Sequence, residues 1–319
     1  MDRTSKKIML NLTKKLGALM LVASLTIPAL SLAGTKDIYV DDDASGKQDG
    51  SSKHPYKTIW AAIEDAENED KKVEIHLAPG TYKENIVIPK RVKVFGSDKY
   101  KVVIKSDDDD KAVVKLNHKS EINKVTIEGG RYGVLVDGDD RASIVECIIK
   151  DNEGDGVRIE PASVEEKYLV SITDSKIYDN EGSGIYSEKR QLSIINNEII
   201  DNDGDGIDIE GGSSAWIHKN DIKDNDKSGM KFTLDGSNIW TKGNTIRDNG
   251  REGIEVNAYG GYGRIDINKS KLYKNNNYGI SRVQRSGFVH NVWGGLTVQE
   301  DNIFWENSIG TLSGVLRIY

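Results

Sequence analysis

Along most of the chain, apolar and polar residues alternate in short runs that break at Asn, Asp and Gly. In LSIINNEIIDNDGDGIDIE the alternation predicts strands over Leu192–Ile195, Glu198–Ile200 and Ile207–Glu210, with no helical period. The unit recurs as IIKDNEGDGVRIE, KIYDNEGSGIYSE, EIIDNDGDGIDIE, DIKDNDKSGMKFT, TIRDNGREGIEVN and KLYKNNNYGISRV. Its asparagines fall at Asn152, Asn180, Asn202, Asn225, Asn249 and Asn275, a period of about 22 to 28 residues. A repeat of that length with three strands predicts stacked coils, an all-β parallel β-helix.

Reading the copies in columns sorts the residues by role. Val157, Ile185, Ile207, Met230, Ile254 and Ile280 open the third strand, and Ile149, Ile177, Ile199, Ile222, Ile246 and Leu272 centre the second; both columns are expected in the core. Cys147, Ser175, Asn197, Asn220, Asn244, Ser270 and Asn302 mark a short turn, where small polar groups can hydrogen-bond from coil to coil. Cys147 is accordingly read as a packed ladder residue rather than a nucleophile.

Only one stretch breaks the strand pattern. HPYKTIWAAIEDAENED spaces Ile59, Ala62, Ile63 and Ala66 on one helical face, which can cap the open end of a stack. Before it, residues 1–33 join Arg3, Lys6, Lys7, Lys14 and Lys15 to an apolar run ending in Ser31, Leu32 and Ala33, the pattern of a secretory signal peptide. The predicted organisation is therefore a leader over 1–33, a segment with the capping helix over 34–72, and the β-helix over 73–319.

Composition narrows the partners. The full chain has a net charge of −7, and loss of the basic leader takes it to about −11, which argues against nucleic acid. With one cysteine no intrachain disulfide can form, so packing and hydrogen bonds must hold the fold. No membrane-spanning run follows the leader, and nothing in the sequence fixes the oligomeric state.

Two stretches, DGSSKHPYKTIWAAIEDA and IHLAPGTYKENIVI, together with the DNxGxGI units, resemble secreted proteins of the right-handed parallel β-helix, pectate-lyase-like superfamily. The resemblance covers nearly all of the chain after the leader. It implies a right-handed solenoid, a location outside the cytoplasm (extracellular or periplasmic), and a polysaccharide as partner. It also implies that the outward face of one strand stack and the turn before it line the substrate groove, as in pectate lyases and polygalacturonases. No catalytic set transfers with it. The chain lacks the GHG and RIK of polygalacturonases and the DPHD of alginate epimerases, and has AWIHKN, residues 215–220, where a pectate lyase shows WIDH.

The candidate chemistry is on that face. Two places after the repeat glycine the column reads Leu135, Arg158, Tyr186, Asp208, Lys231, Glu255 and Ser281; four places after it stand Asp137, Glu160, Glu188, Glu210, Thr233 and Asn257. Asp208, Glu210 and Glu255 are candidate acids or bases, with Lys231 or Arg158 to abstract or steer a proton. The bland alternative is a solvated face of cross-strand ion pairs.

Tyr186, Trp216, Trp240, Tyr259 and Tyr262 are candidate platforms for sugar rings, and the insertion over 284–295, with His290 and Trp293, could wall the groove. DNDGDGIDIEGG, residues 201–212, has the alternating carboxylates of a calcium loop but ends in Gly212, where that loop needs glutamate. What stays open is a looser Ca²⁺ site at Asp203, Asp205 and Asp208.

The aspartates before the asparagines, Asp151, Asp179, Asp201, Asp224 and Asp248, are expected to bond turn N–H groups. The histidines His54, His76, His118 and His218 show no metal-ligand spacing. Function is thus expected to be binding or degradation of an extracellular polysaccharide by a lyase- or hydrolase-like site. The alternative is a non-catalytic surface β-helix.

Overall fold

The computed structural model describes residues 34–69, 71–163, 169–258, 262–285 and 292–318. The expected signal segment, Tyr259 and His290 lie outside the described residues.

Strands stack in three parallel sheets of 11, 10 and 10 strands, and the chain visits the sheets in the same order on every coil. The strand expectations hold to within a residue: Gln191–Ile195 in the first sheet, Glu198–Ile200 in the second and Ile207–Glu210 in the third. The fold is a right-handed parallel β-solenoid. Register ties each inward residue to its equivalent one coil away, so Ile177 pairs with Ile199 and Ile185 with Ile207. Both predicted columns are fully buried. Burying a side chain of that size contributes roughly 1.5–3 kcal/mol, so the interior is a continuous source of stability along the axis.

Two asparagine-rich ladders close the turns. Each side-chain amide donates to the next: Asn152 Nδ2 to Asn180 Oδ1 at 2.7 Å, Asn180 to Asn202 at 2.8 Å and Asn202 to Asn225 at 2.9 Å. The second ladder runs through Asn197, Asn220 and Asn244 at 3.0 Å per step. Cys147 belongs to it, its N–H donating to Ser175 Oγ at 3.1 Å, and burial pushes the thiol pKa up to about 12.

The aspartate column departs from the expectation. Asp151, Asp179, Asp201, Asp224 and Asp248 take φ between 51° and 57°, the left-handed region that Asp and Asn tolerate better than most residues. Among the described residues these carboxylates make no bond to turn N–H groups, and the left-handed corner they occupy is held on later coils by Lys274 and Glu306. Burial raises the Asp224 pKa, and the charges of Asp201 and Asp248 raise it further, the mutual repulsion such a column must carry.

At the N-terminal end, β1 (Lys36–Val40) pairs with β2 (Val73–Leu77), and the capping helix α1 (Ile59–Glu67) buries Ile59, Ala62, Ile63 and Ala66, the four residues its period singled out. Its first N–H groups are held from two sides. Thr58 Oγ1 accepts from Ala61 N at 3.2 Å, and the Glu84 carboxylate accepts from Ile59 N at 2.9 Å and Trp60 N at 2.8 Å. Glu84→Ala leaves two helix donors unpaired and is expected to destabilise the cap by about 1–3 kcal/mol. Faster amide exchange at residues 59–61, ahead of the solenoid's own amides, is the readout; unchanged exchange there removes Glu84 as the anchor.

Candidate functional site

Outward positions of the third sheet form the ladder that the sequence predicts. Register places Leu135 beside Arg158, Arg158 beside Tyr186, Tyr186 beside Asp208, Asp208 beside Lys231, Lys231 beside Glu255, and Glu255 beside Ser281. Strand spacing sets these neighbours about 4.8 Å apart. Repeat geometry alone therefore brings a cation, a phenol, a carboxylate and an ammonium into one row.

The centre is an ion triad. Lys231 Nζ lies 2.8 Å from Asp208 Oδ2 and 3.0 Å from Glu210 Oε1. Asp208 is only 6% exposed, and its Oδ1 has no hydrogen-bond partner among the described residues. Burial pushes its pKa up to about 7, with Lys231 pulling the other way and Asp205 and Glu210 adding to the rise. For Lys231, burial acts to lower the pKa, but Asp208 and Glu210 outweigh it and hold the ammonium above its usual range. A permanently charged ammonium cannot abstract a proton. Of the two, Asp208 is the group able to exchange a proton near neutrality, and Lys231 supplies positive charge.

Arg158 is fixed in the same way, with Nε 2.9 Å from Glu160 and a terminal nitrogen 3.1 Å from Asp155. Its guanidinium carbon stands 3.9 Å from the Tyr186 ring centroid and 5.7 Å from that of Tyr132, a cation between two aromatic faces. Burial lifts the Tyr186 hydroxyl to about 12, so it remains a neutral donor. Glu255 accepts from Asn257 Nδ2 at 2.8 Å and from Ser228 Oγ at 3.5 Å.

On the earlier coils the ladder continues through Val87 and Lys115. These residues, with Arg131 and Tyr132, line a pocket of about 340 Å³ on the same face, which the sequence reading missed. Val87 precedes the recognisable repeats, where the column is hard to align, whereas Tyr132 stands immediately before a repeat glycine, outside the two columns that were aligned.

Other candidates separate. Trp216 and Trp240 are paired directly and are 47% and 38% exposed, but they stand on the first sheet, away from the Asp208 row. Tyr262, 75% exposed, lies in the turn from the third sheet to the first. Thr233 and Asn257 occupy outward positions yet are buried.

The Ca²⁺ expectation meets competing bonds. Asp205 Oδ1 accepts from Ser228 N at 2.9 Å, as Asp155 does from Ser183 N at 2.8 Å on an earlier coil, while Asp208 is engaged by Lys231. Asp203 is exposed, and the three carboxylates do not converge. Among the described residues, converging ligand atoms occur at Asp41, Asp42 and Asp43, at Asp108, Asp109 and Asp110, and at Asp37, Glu74 and His76.

These features define a β-helix protein with a charged groove candidate, and the comparisons agree on the class. Residues 43–227 match the family described as "Protein of unknown function (DUF1565)", to which the chain belongs, and residues 162–312 match the "Right handed beta helix region". No curated protein matches the chain. Among solved structures it is similar to XylC in complex with xylose, at 10% identity over 82% of this chain and 70% of that one, TM-score 0.61. Pectate lyase Pel9A is similar at 15% identity over 88% and 78%, TM-score 0.53. The A-module of the Azotobacter vinelandii mannuronan C-5 epimerase AlgE6 matches at 15% over 88% and 99%, TM-score 0.51. At these identities the likeness is one of fold. No described helix is long and apolar enough to cross a membrane.

Proposed function

We propose that this protein cleaves an acidic extracellular polysaccharide on the outward face of its third sheet, working outside the cytoplasm once residues 1–33 are removed. The observation that carries the reading is the Arg158, Tyr186, Asp208, Lys231 row, in which a buried carboxylate titrating near neutrality adjoins fixed positive charge. Asp208 moves the proton. Lys231 and Arg158 face the substrate's carboxylates, and Tyr186 offers a ring face and a hydroxyl. Ca²⁺, if bound, would supply positive charge toward the sugar carboxylates, but Asp203, Asp205 and Asp208 do not converge on one ion. The names of similar structures, a pectate lyase and a mannuronan epimerase among them, support a uronic-acid polymer as the first substrate to try.

The test is mass spectrometry of oligosaccharides released from plant, algal and bacterial polysaccharides, with Ca²⁺ or with chelator. Products without added water mark a lyase, and hydrated products a hydrolase. Absence of fragments across the panel overturns the catalytic reading.

A second reading, a non-catalytic glycan-binding β-helix, is favoured by the enclosure of Asp208 beneath Lys231, which spends both Asp208 and Glu210 on one ammonium. Here the Trp216 and Trp240 pair is the binding platform. Trp216→Ala and Trp240→Ala are each expected to weaken glycan binding about tenfold or more, since stacking on an aromatic face is worth about 0.5–1.5 kcal/mol beyond the area buried. Thermal stability should stay put because both rings are exposed. Affinity electrophoresis in polysaccharide gels reads the loss, and equal mobility of both variants and the wild type excludes the platform.

A further inference from the structure

The N-terminal edge of the first sheet carries a group of side chains remote from the Asp208 row. Asp37 and Tyr39 point outward from β1, and Glu74 and His76 from β2; register sets Asp37 opposite Glu74 and Tyr39 opposite His76. Asp37 Oδ1 lies 2.9 Å from His76 Nε2, and one ligand atom from each of Asp37, Glu74 and His76 falls within 4.8 Å of the others.

Two carboxylates directly opposed across a strand pair repel, so something must offset their charge. The neighbouring cations are turned elsewhere. Lys93, opposite Glu74 on the next strand, reaches Glu121 at 2.9 Å, and Lys36 is held by Asp65 and Glu69 of the capping segment at 2.9 and 3.0 Å. What remains at the pair is an imidazole. Its ring is stacked between Tyr39, at 5.1 Å, and Phe95, at 5.9 Å, which fixes the direction of its nitrogens. His76 and Tyr39 also line one wall of a pocket of about 290 Å³, which Asp37 and Glu74 do not line.

We propose that Asp37, Glu74 and His76 bind a divalent transition metal of the zinc class, with a fourth position open. One nitrogen and two carboxylate oxygens suit Zn²⁺ or a similar ion, whereas Ca²⁺ prefers six to eight oxygens. Bonds of about 2.1 Å place ligand atoms of a tetrahedral site roughly 3.4 Å apart, so side-chain shifts of about an ångström complete it. Asp37 and His76 are partly exposed and can make them, while the paired strands hold the backbones in register. The sequence concealed the group because β1 and β2 are separated by the whole capping segment; only their pairing reveals it.

Calorimetric titration of the protein with Zn²⁺ alone is expected to show one saturable equivalent that His76→Ala and Glu74→Gln each weaken at least tenfold. Co²⁺ should give the visible bands of a low-coordinate nitrogen/oxygen site in the wild type and lose them in His76→Ala, and excess Ca²⁺ should not displace Zn²⁺. No saturable uptake, uptake that His76→Ala leaves unchanged, or complete displacement by Ca²⁺ each overturns the proposal. Circular dichroism checks the fold of both variants, and Glu74→Gln carries the test should His76→Ala misfold.

Discussion

Turnover of the cleaved polysaccharide is expected to fall by about 10²–10⁴-fold in Asp208→Asn, the range that a positioned acid or base contributes. The substitution keeps the side chain's shape, removes its proton chemistry and leaves Lys231 with Glu210 as its remaining carboxylate partner. In the wild type, kcat/KM should change along one limb near pH 7, where burial places Asp208. The limb should vanish in Asp208→Asn. In Lys231→Met it should move to higher pH, because the ammonium that lowers the Asp208 pKa is gone.

Stability gives the same group an independent signature. An acid whose folded-state pKa lies above its ordinary value binds its proton more tightly when folded, so its contribution is present at low pH and lost as pH rises through about 7. Asp208→Asn does not lose it, and its melting temperature relative to the wild type should climb between about pH 4 and pH 7. Full turnover by Asp208→Asn removes this row as the active site. A flat stability difference across that window removes the buried titration.

Asn202→Ala is expected to destabilise the solenoid by about 3–5 kcal/mol, without touching the outward face. Asn202 Nδ2 donates to Asn225 Oδ1 at 2.9 Å and to Ile200 O at 3.1 Å, while its Oδ1 accepts from Asn180 Nδ2 at 2.8 Å and Asn180 N at 3.3 Å. Alanine removes the bridge and strands buried donors and acceptors on both neighbouring coils, each costing about 1–3 kcal/mol. Urea unfolding should show the midpoint fall, and Asp203→Ala, next in sequence but exposed, should leave it nearly unmoved. Equal midpoints for Asn202→Ala and the wild type would refute the ladder as a stabilising element.

Strand boundaries, core columns, the polar ladder through Cys147 and Asn197 and the four buried residues of α1 were legible from periodicity, whereas the Asn152–Asn225 ladder was seen there only as a repeat marker. In a solenoid each strand pairs with the equivalent strand one repeat away, so aligning the repeats amounts to writing the register. That is why the Arg158, Tyr186, Asp208, Lys231 order could be read without coordinates. The same logic failed where the repeats fade, at Val87 and Lys115, passed over Tyr132 beside a repeat glycine, and expected turn N–H bonds at the aspartate column, where the chain turns a left-handed corner instead.

The sequence by itself determined the architecture and the row of side chains on the third sheet, because both follow from a short period repeated along one axis. Tertiary structure decided the chemistry within that row. Burial, which no local pattern records, lifted Asp208 to about 7, and distances of 2.8 and 3.0 Å turned Lys231 from a candidate base into a fixed cation. Structure alone also put Trp216 and Trp240 on a different face from Tyr186, and joined Asp37 to Glu74 and His76 across the capping segment. Charge and metal affinity depend on which groups meet in space and how much water is left between them, and only the folded chain sets those two quantities.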